Sequence, residues 1–259
     1  LGESERGQLL SYDNFNATVD LTPQAINGYL GVGFRGDGFI DAKVSTGWSP
    51  NSPLVGDLYL NMSRLRWLEL FSADLVRPQG QLSGHISLRG ERDTPQIGGE
   101  ATLEDFSGEL PALGLNLTAG RGALAALPDG TATITASANT GGEGALEVDG
   151  SLSLYGQEQP LKLHITGSNV LVANIPEIRA VADADLHFSL DATAMTLTGK
   201  VYVPEADLDL ERLERGTSTS DDVVVLDPVD PTAAPSSPLA MELTIGLGDK
   251  VRMSGFGLK

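Results

Sequence analysis

Residues 144–156 read GALEVDGSLSLYG, and their alternation decides the fold class. Apolar residues or glycines occupy every even position of this segment, whereas the odd positions include Glu147, Asp149, Ser151 and Ser153. Successive side chains of a β-strand point to opposite faces, so the segment is expected to form a strand with one apolar and one polar face. The alternation leaves open whether the apolar face covers a protein core or binds a ligand.

The same period of two recurs along most of the chain, with turn signals between the alternating series. The series occupy residues 54–62, 82–88, 132–138, 161–167, 195–203 and 239–253. Strict alternation predicts antiparallel strands that are covered on one face, because parallel strands covered on both faces are apolar throughout. We therefore predict an all-β fold, organised as a single elongated β-domain over residues 1–259 that is a fragment of a longer chain.

Two segments depart from the alternation. Residues 63–75, SRLRWLELFSADL, place Leu65 and Leu68 at helical spacing after Ser63, a residue type that caps helices, so we predict one short helix there. Residues 226–238 carry four prolines, which exclude a central strand, and they are predicted to form a mobile loop.

Composition and charge exclude several classes of function. The chain carries 17 basic and 35 acidic residues, and its net charge of −18 repels nucleic acid, so we expect no nucleic-acid partner. No run of about 18 or more apolar residues is present, so the sequence predicts no transmembrane helix. The absence of cysteine excludes disulfides and thiolate sites.

The polar residues show no arrangement typical of an enzyme or a metal centre. His85, His164 and His187 fall on the polar phase of separate series, and we interpret them as solvated surface residues. Asp183 and Asp185 alternate in the same way, and because no calcium-binding loop accompanies them we assign them to a solvated face. The sequence contains no nucleophile motif and no phosphate-binding loop. We therefore predict a protein that is not an enzyme, with no catalytic residues, no metal and no cofactor.

Two groups of glycine-punctuated segments carry a resemblance to a known family. The first group comprises GQLSGHISLRG at 80–90 and TPQIGGEATLEDFSGELPALGLNLT at 94–118. The second is a succession of GKVYVPEADL at 199–208, SDDVVV at 220–225 and LGDKVRMSGFGL at 247–258. These segments resemble the C-terminal domain of the TamB family. Its members are the inner-membrane subunits of the translocation and assembly module, AsmA-like bridge proteins of Gram-negative bacteria.

The resemblance implies a fold, a location and a function. The fold is a long antiparallel sheet curled into a U-shaped trough, a β-taco, with an apolar concave face. The location is the periplasm of a Gram-negative bacterium, with the full-length protein held in the inner membrane by an N-terminal anchor outside this fragment. The function is a non-enzymatic conduit that carries phospholipid between the inner and outer membranes, with phospholipid acyl chains as partners.

An apolar trough would lower the free-energy cost of moving a lipid through water. A phospholipid has on the order of 28 chain methylenes, and exposing each costs about 0.8 kcal/mol, so an unaided crossing costs about 20 kcal/mol. The residues that we predict to bind lipid on the concave face belong to the apolar phase of the series from 144 onward. They are Leu146, Val148, Leu152, Leu154, Leu161, Leu163, Ile165, Leu197, Val201, Leu243 and Ile245.

Two other interpretations remain open at this point. The first is an interaction or chaperone module for the assembly of outer-membrane β-barrel proteins, together with a TamA-like outer-membrane partner. Its free sheet edges would capture extended chains by β-augmentation. The second discards the resemblance and predicts a β-sandwich or solenoid adhesin module, in which apolar faces meet each other and stay dry.

Overall fold

Thirteen β-strands in the described residues form one sheet, in which the strands lie side by side in the order of the sequence. The computed structural model describes residues 12–70, 72, 74–127, 129–153, 160–191, 194–212 and 239–255. The strands are β1 (Tyr12–Leu21), β2 (Ile26–Phe34), β3 (Gly38–Thr46), β4 (Val55–Met62), β5 (Val76–Gly90), β6 (Pro95–Leu110), β7 (Leu115–Ala126), β8 (Thr131–Asn139), β9 (Ala145–Ser153), β10 (Leu161–Ile175), β11 (Ile178–Leu190), β12 (Met195–Asp209) and β13 (Leu239–Ser254). The open, curled sheet confirms the predicted all-β trough.

Strand pairing is antiparallel from β1 to β12, but β12 and β13 are parallel, which corrects the prediction of a wholly antiparallel sheet. β13 starts beside the first residue of β12, since Leu239 is opposite Met195. The two ends of the connection, Asp209 and Leu239, therefore lie at opposite ends of β12. The alternation of β13 did not reveal this pairing, because a parallel edge strand with one uncovered face alternates in the same way as an antiparallel strand.

β-bulges interrupt the register of the longer strands and account for the curl of the sheet. Register shifts fall near the middle or one end of β5, β6, β7, β10, β12 and their partners. A bulge places an extra residue in one strand, which bends that strand and increases its local twist. Four non-glycine residues at or beside these shifts have a positive φ, a conformation that one class of bulge uses: Arg77, Asp105, Ala119 and Asn169.

The predicted helix over 63–75 is shorter than expected and of a tighter type. The chain forms a 3₁₀ helix from Arg66 to Leu70, and the Leu68 N–H donates to the Leu65 carbonyl across 2.9 Å. Leu65 is fully buried, and its Cδ1 would lie 3.2 Å from a Cβ added at Gly80 of β5. The helical spacing of the apolar residues in the sequence therefore reflects a single turn that packs on β5. This turn is too short to form the i→i−4 hydrogen bonds of an α-helix.

The predicted proline-rich loop at 226–238 and the predicted site residue Leu154 lie outside the described residues.

A second 3₁₀ helix, Pro111–Leu113, joins β6 to β7. In the described part of the chain, no helix combines the length and the apolar character needed to cross a bilayer.

The buried core of the described residues is small. Most of it lies beyond the bulges, at the end of the sheet that β8 and β9 do not reach. We call this region the packed end and define it by the buried residues Leu115, Val170, Leu171, Ala173, Ala182 and Ala206. β8 and β9 end before this region, and there β7 and β10 contact each other directly. Leu171 lies over Gly142 in the β8–β9 turn, where an added Cβ would be 2.9 Å from the Leu171 Cβ.

Candidate functional site

Strand register places the predicted lipid-binding residues of β9 and β10 on one face of the sheet. Val148 lies opposite Ile165, Leu152 lies opposite Leu161, and Leu163 lies opposite Gly150. Directly opposite residues in a sheet point to the same side, so these apolar side chains form adjacent rows. Glycine supports the packing of the rows, since a Cβ at Gly150 would lie 2.7 Å from the Leu163 Cδ2.

The rows continue through β11 to β12 and β13. Leu163 pairs with Phe188, and Phe188 pairs in turn with Leu197 on β12. At the edge of the sheet, Val201 lies opposite Ile245. The predicted residues on four different strands are therefore parts of one continuous surface, which we call the apolar face.

The apolar face has no covering layer among the residues that the structure describes. Of the ten predicted residues with a described position, nine are partly exposed, and the exception, Ile245 on the edge strand, is 64% exposed. A β-sandwich would bury such residues between two sheets, whereas the described strands make only one sheet. The dry β-sandwich interpretation is therefore wrong for the described part of the chain.

The apolar face extends into β1–β6, where sequence reasoning named no site residue. A groove of about 350 Å³ lies there, lined chiefly by apolar side chains of six strands. Its apolar lining comprises Val19, Leu30, Ala42, Val44, Leu58, Ile86, Leu88 and Ile97. The sequence contained the signal, because residues 54–62 and 82–88 alternate as regularly as the segments that were chosen.

β11 holds apolar side chains that sequence reasoning missed. The sequence prediction considered only the polar phase of this strand, with Asp183 and Asp185. The even positions form the apolar phase and include Leu186 and Phe188. Those two residues connect the rows of β10 to the rows of β12. Without them the predicted residues of β9–β10 and of β12–β13 would be two separate patches.

The opposite, polar face carries ion pairs and hydrogen bonds between neighbouring strands. The Asp57 carboxylate is 2.9 Å from the His85 Nε2 and accepts hydrogen bonds from the Arg89 guanidinium at 3.0 and 3.2 Å. Hydrogen bonding by His85, followed by that of Arg89, lowers the pKa of Asp57. His85 also stacks on Tyr59, with ring centroids 4.2 Å apart.

Two of the three histidines, which the sequence predicted to be solvated surface residues, lie together on the polar face. His164 on β10 lies directly opposite His187 on β11, with ring centroids 4.4 Å apart. Asp185, two residues before His187, lies 2.7 Å from the His164 Nε2 through its Oδ1. The hydrogen bond from His164 lowers the pKa of Asp185. Sequence spacing alone could not find this group, because the two histidines are far apart along the chain and only the register joins them.

A polar groove of about 670 Å³ lies beside this group, across β6 to β9. Its lining includes Arg121 and the acidic residues Glu104, Glu147 and Asp149. Asp149 lies directly opposite His164, so the groove and the histidine group are adjacent. The sheet therefore presents an apolar surface on one side and a largely acidic, hydrogen-bonding surface on the other.

Comparison with known proteins identifies a family for part of the chain. No solved structure matches the chain. Residues 132–259, about half of the chain, match the family described as the TamB C-terminal domain, and the match contains all eleven predicted site residues. The match confirms the resemblance over residues 132–259, whereas the segments at 80–90 and 94–118 lie outside it. Through residues 132–259, the chain belongs to the TamB family, the translocation and assembly module proteins of the bacterial envelope.

Proposed function

We propose that this protein is a non-enzymatic conduit along whose apolar face phospholipid acyl chains move across the periplasm, between the inner and outer membranes. The observation that carries the proposal is the continuity of the apolar face over thirteen strands without a covering layer in the described residues. Soluble proteins rarely leave a contiguous apolar patch of this kind uncovered unless it binds a partner.

The shape of the apolar face suits an extended and mobile ligand. Strands spaced by about 4.8 Å give thirteen strands an extent of about 60 Å along the sheet. Leucine, isoleucine and valine alternate along this surface with glycine and alanine, as in the row of Val148, Ala136 and Gly122. Such a wall offers dispersion contacts along its whole length, so an acyl chain can shift from one row of side chains to the next.

The polar face suits the aqueous side of the same conduit. Its cross-strand ion pairs and hydroxyl contacts, such as Arg89 with Asp57 and Ser83 with Thr102, stay in water while the apolar face is occupied. A headgroup can remain hydrated at the opening of the trough while the acyl chains lie on the apolar face. The TamB family is non-enzymatic, and we propose the same for this chain.

The experiment is a photo-crosslinking walk along β9 in cells, with the photoreactive residue placed at one position at a time. The apolar-face positions are Leu146, Val148 and Leu152, and the matched polar-face positions are Glu147, Asp149 and Ser151. We expect the first group to capture phospholipid and the second to capture none. Equal capture by both groups, or capture by neither, would contradict the conduit.

A second candidate function, assistance to outer-membrane β-barrel assembly with a TamA-like partner, is favoured by the edges of the sheet. β1 and β13 each pair on one side only among the described strands. An unpaired edge can bind an extended segment through main-chain hydrogen bonds. In the same walk, this function predicts protein adducts at β1 or β13 and no lipid adducts on β9.

The proposed location is the periplasm, with the full-length protein held in the inner membrane by an N-terminal anchor. Membership in a family of envelope proteins supports this proposal. Fractionation of cells that produce the full-length protein tests it. We expect the protein in the inner-membrane fraction, and we expect this domain to be accessible to protease only after the outer membrane is opened.

A further inference from the structure

The geometry points to a transition-metal site on the polar face, formed by His164, His187 and Asp185, with Zn²⁺ as the ion that these ligands favour. The site lies on the side of the sheet opposite the apolar face, so it is independent of the proposed lipid function. It adds a second binding surface to a domain whose other face is apolar.

The three side chains already have nearly the separation that one ion requires. Their ligand atoms all lie within 4.8 Å of one another. The Asp185 Oδ1 is 2.7 Å from the His164 Nε2 and 4.0 Å from the His187 Nδ1. Ligands around a tetrahedral Zn²⁺ with bonds of about 2.0–2.1 Å are about 3.3 Å apart. Side-chain rotations that move the ligand atoms by about 1–2 Å therefore suffice, and no backbone change is needed.

The backbone positions of the ligands are fixed by the sheet. His164 and His187 form a direct cross-strand pair, and Asp185 and His187 are two residues apart on the same face of β11. Both strands are paired on both sides, since β9 flanks β10 and β12 flanks β11. Ligands held on paired strands lose little conformational freedom when an ion binds, which favours affinity.

The ligand set determines the class of ion. Two imidazoles and one carboxylate suit Zn²⁺ and its first-row neighbours, whereas Ca²⁺ and Mg²⁺ prefer sites made of oxygen ligands. Three protein ligands leave one tetrahedral position for water or for a ligand from another molecule. The three side chains are 44–63% exposed, so an ion reaches them without opening the fold.

The charges around the group are mixed. Asp149 on β9 lies directly opposite His164, and Lys200 on β12 lies directly opposite Asp185. Asp149 adds a carboxylate beside the ion, and Lys200 adds a single positive charge on the far side of Asp185. The net charge of −18 of the chain further raises the local concentration of cations.

Isothermal titration of the folded, tag-free chain with ZnCl₂ tests the site. We expect one ion per chain with a dissociation constant on the order of 1–10 µM. His187→Ala removes one ligand and is expected to weaken binding by at least about tenfold. His85→Ala is the matched control, because His85 also lies beside a carboxylate on the polar face but has no second histidine near it, and it should bind Zn²⁺ as the unaltered chain does.

Thermal unfolding gives a second readout, since an ion that binds only the folded state raises the midpoint temperature. Zn²⁺ should raise the midpoint of the unaltered chain and of His85→Ala, and leave that of His187→Ala unchanged. If His187→Ala does not fold, imidazole ¹⁵N shifts of the unaltered chain decide: Zn²⁺ must move those of His164 and His187 and leave those of His85. Absence of binding up to about 100 µM, equal binding by the two variants, or shifts at His85 alone would overturn the site.

Discussion

The two halves of β10 contain similar apolar residues, but those of one half are partly exposed and those of the other half are buried. Before the bulge, Leu163 and Ile165 belong to the apolar face and are partly exposed, with no layer above them in the described chain. After the bulge, Val170 and Leu171 belong to the packed end and are buried. The same strand, with the same kinds of side chain, thus supplies an uncovered apolar surface on one side of a bulge and a core on the other.

The comparison shows that the burial of an apolar side chain in this sheet depends on whether another strand packs over it. It does not depend on the alternation of apolar and polar residues along its own strand. Beyond the bulges, β7 and β10 contact each other because β8 and β9 end early, and side chains there, such as Leu115 and Val170, are buried. Before the bulges, β8 and β9 separate those strands, and the apolar side chains face open space. The bulge in β10 and the early ends of β8 and β9 are therefore sufficient to separate the exposed apolar face from the buried packed end.

The largest expected effect is that of a carboxylate in the packed end. Val170→Asp buries a charge without a partner where the side chain has no solvent exposure, and we expect it to lower the free energy of unfolding by about 3–5 kcal/mol or to prevent folding. Ile165→Asp, on the same strand before the bulge, should cost about 1 kcal/mol or less. Urea denaturation of both variants measures the comparison, and similar losses would show that the apolar face is an ordinary core.

A smaller effect is expected from adding a methyl group at glycines of the two regions. Gly114, next to the packed end, has a φ of 65°, and a Cβ there would lie 2.0 Å from the Asn174 carbonyl oxygen. Gly114→Ala is therefore expected to cost about 1–3 kcal/mol. Gly122, on the apolar face, has its nearest Cβ neighbour at 3.5 Å, so Gly122→Ala should change stability by about 0.5 kcal/mol or less. Thermal unfolding of the pair tests this order, and a reversed order contradicts it.

A charge on the apolar face should change ligand occupancy more than stability. Leu163→Glu places a carboxylate in the path of the acyl chains, so we expect loss of co-purified phospholipid with the β-sheet circular-dichroism signal retained. Lys162→Glu is the matched control, because it introduces the same residue at the neighbouring position on the polar face. Mass spectrometry of lipid extracts measures occupancy. Retention of lipid by Leu163→Glu, or loss by both variants, refutes the assignment of the face.

The smallest expected effect is a dependence of stability on pH that comes from the polar face. The pKa of Asp57 is lowered in the folded state by His85 and Arg89, so the unfolded chain binds a proton at a higher pH than the folded chain. The stabilisation is therefore fully present above the unfolded value of about 4 and is lost as the pH falls through the lower folded value. Asp57→Asn should be less stable than the unaltered chain at pH 6, and the gap should shrink towards pH 3 in urea denaturation. A gap that is constant over this range contradicts the assignment.

Much of the fold followed from the sequence, because the alternation of apolar and polar residues directly reports a sheet with two unlike faces. Leu146, Val148 and Leu152 could be assigned to one face on this ground alone. The parallel pairing of β13 could not be predicted, since an edge strand alternates in either direction. The bulge of β10 was not predicted, although Gly167, Ser168 and Asn169 interrupt its alternation with residue types that favour turns and bulges.

The remaining features depend on register, which one sequence does not contain. The contact of His164 with His187 requires that β10 and β11 pair at one particular offset, and a shift of one residue would place the histidines on opposite faces. The division between the packed end and the apolar face requires the relative lengths of β7 to β10. Composition could not distinguish Val170 from Ile165, since both are β-branched apolar residues of the same strand.

The order of the strands has a consequence for how the chain reaches its folded state. Each of the strands up to β12 pairs with the strand made just before it, so loop closures are short and the sheet can grow strand by strand as the chain lengthens. Two steps must wait: the contact of β7 with β10, and the docking of β13, whose partner β12 precedes it by residues 210–238. Until β13 docks, the growing sheet ends in β12, an edge that an incoming neighbour can pair with in either direction. The docking of β13 therefore sets the time at which the edge of β12 stops being open to pairing with another chain.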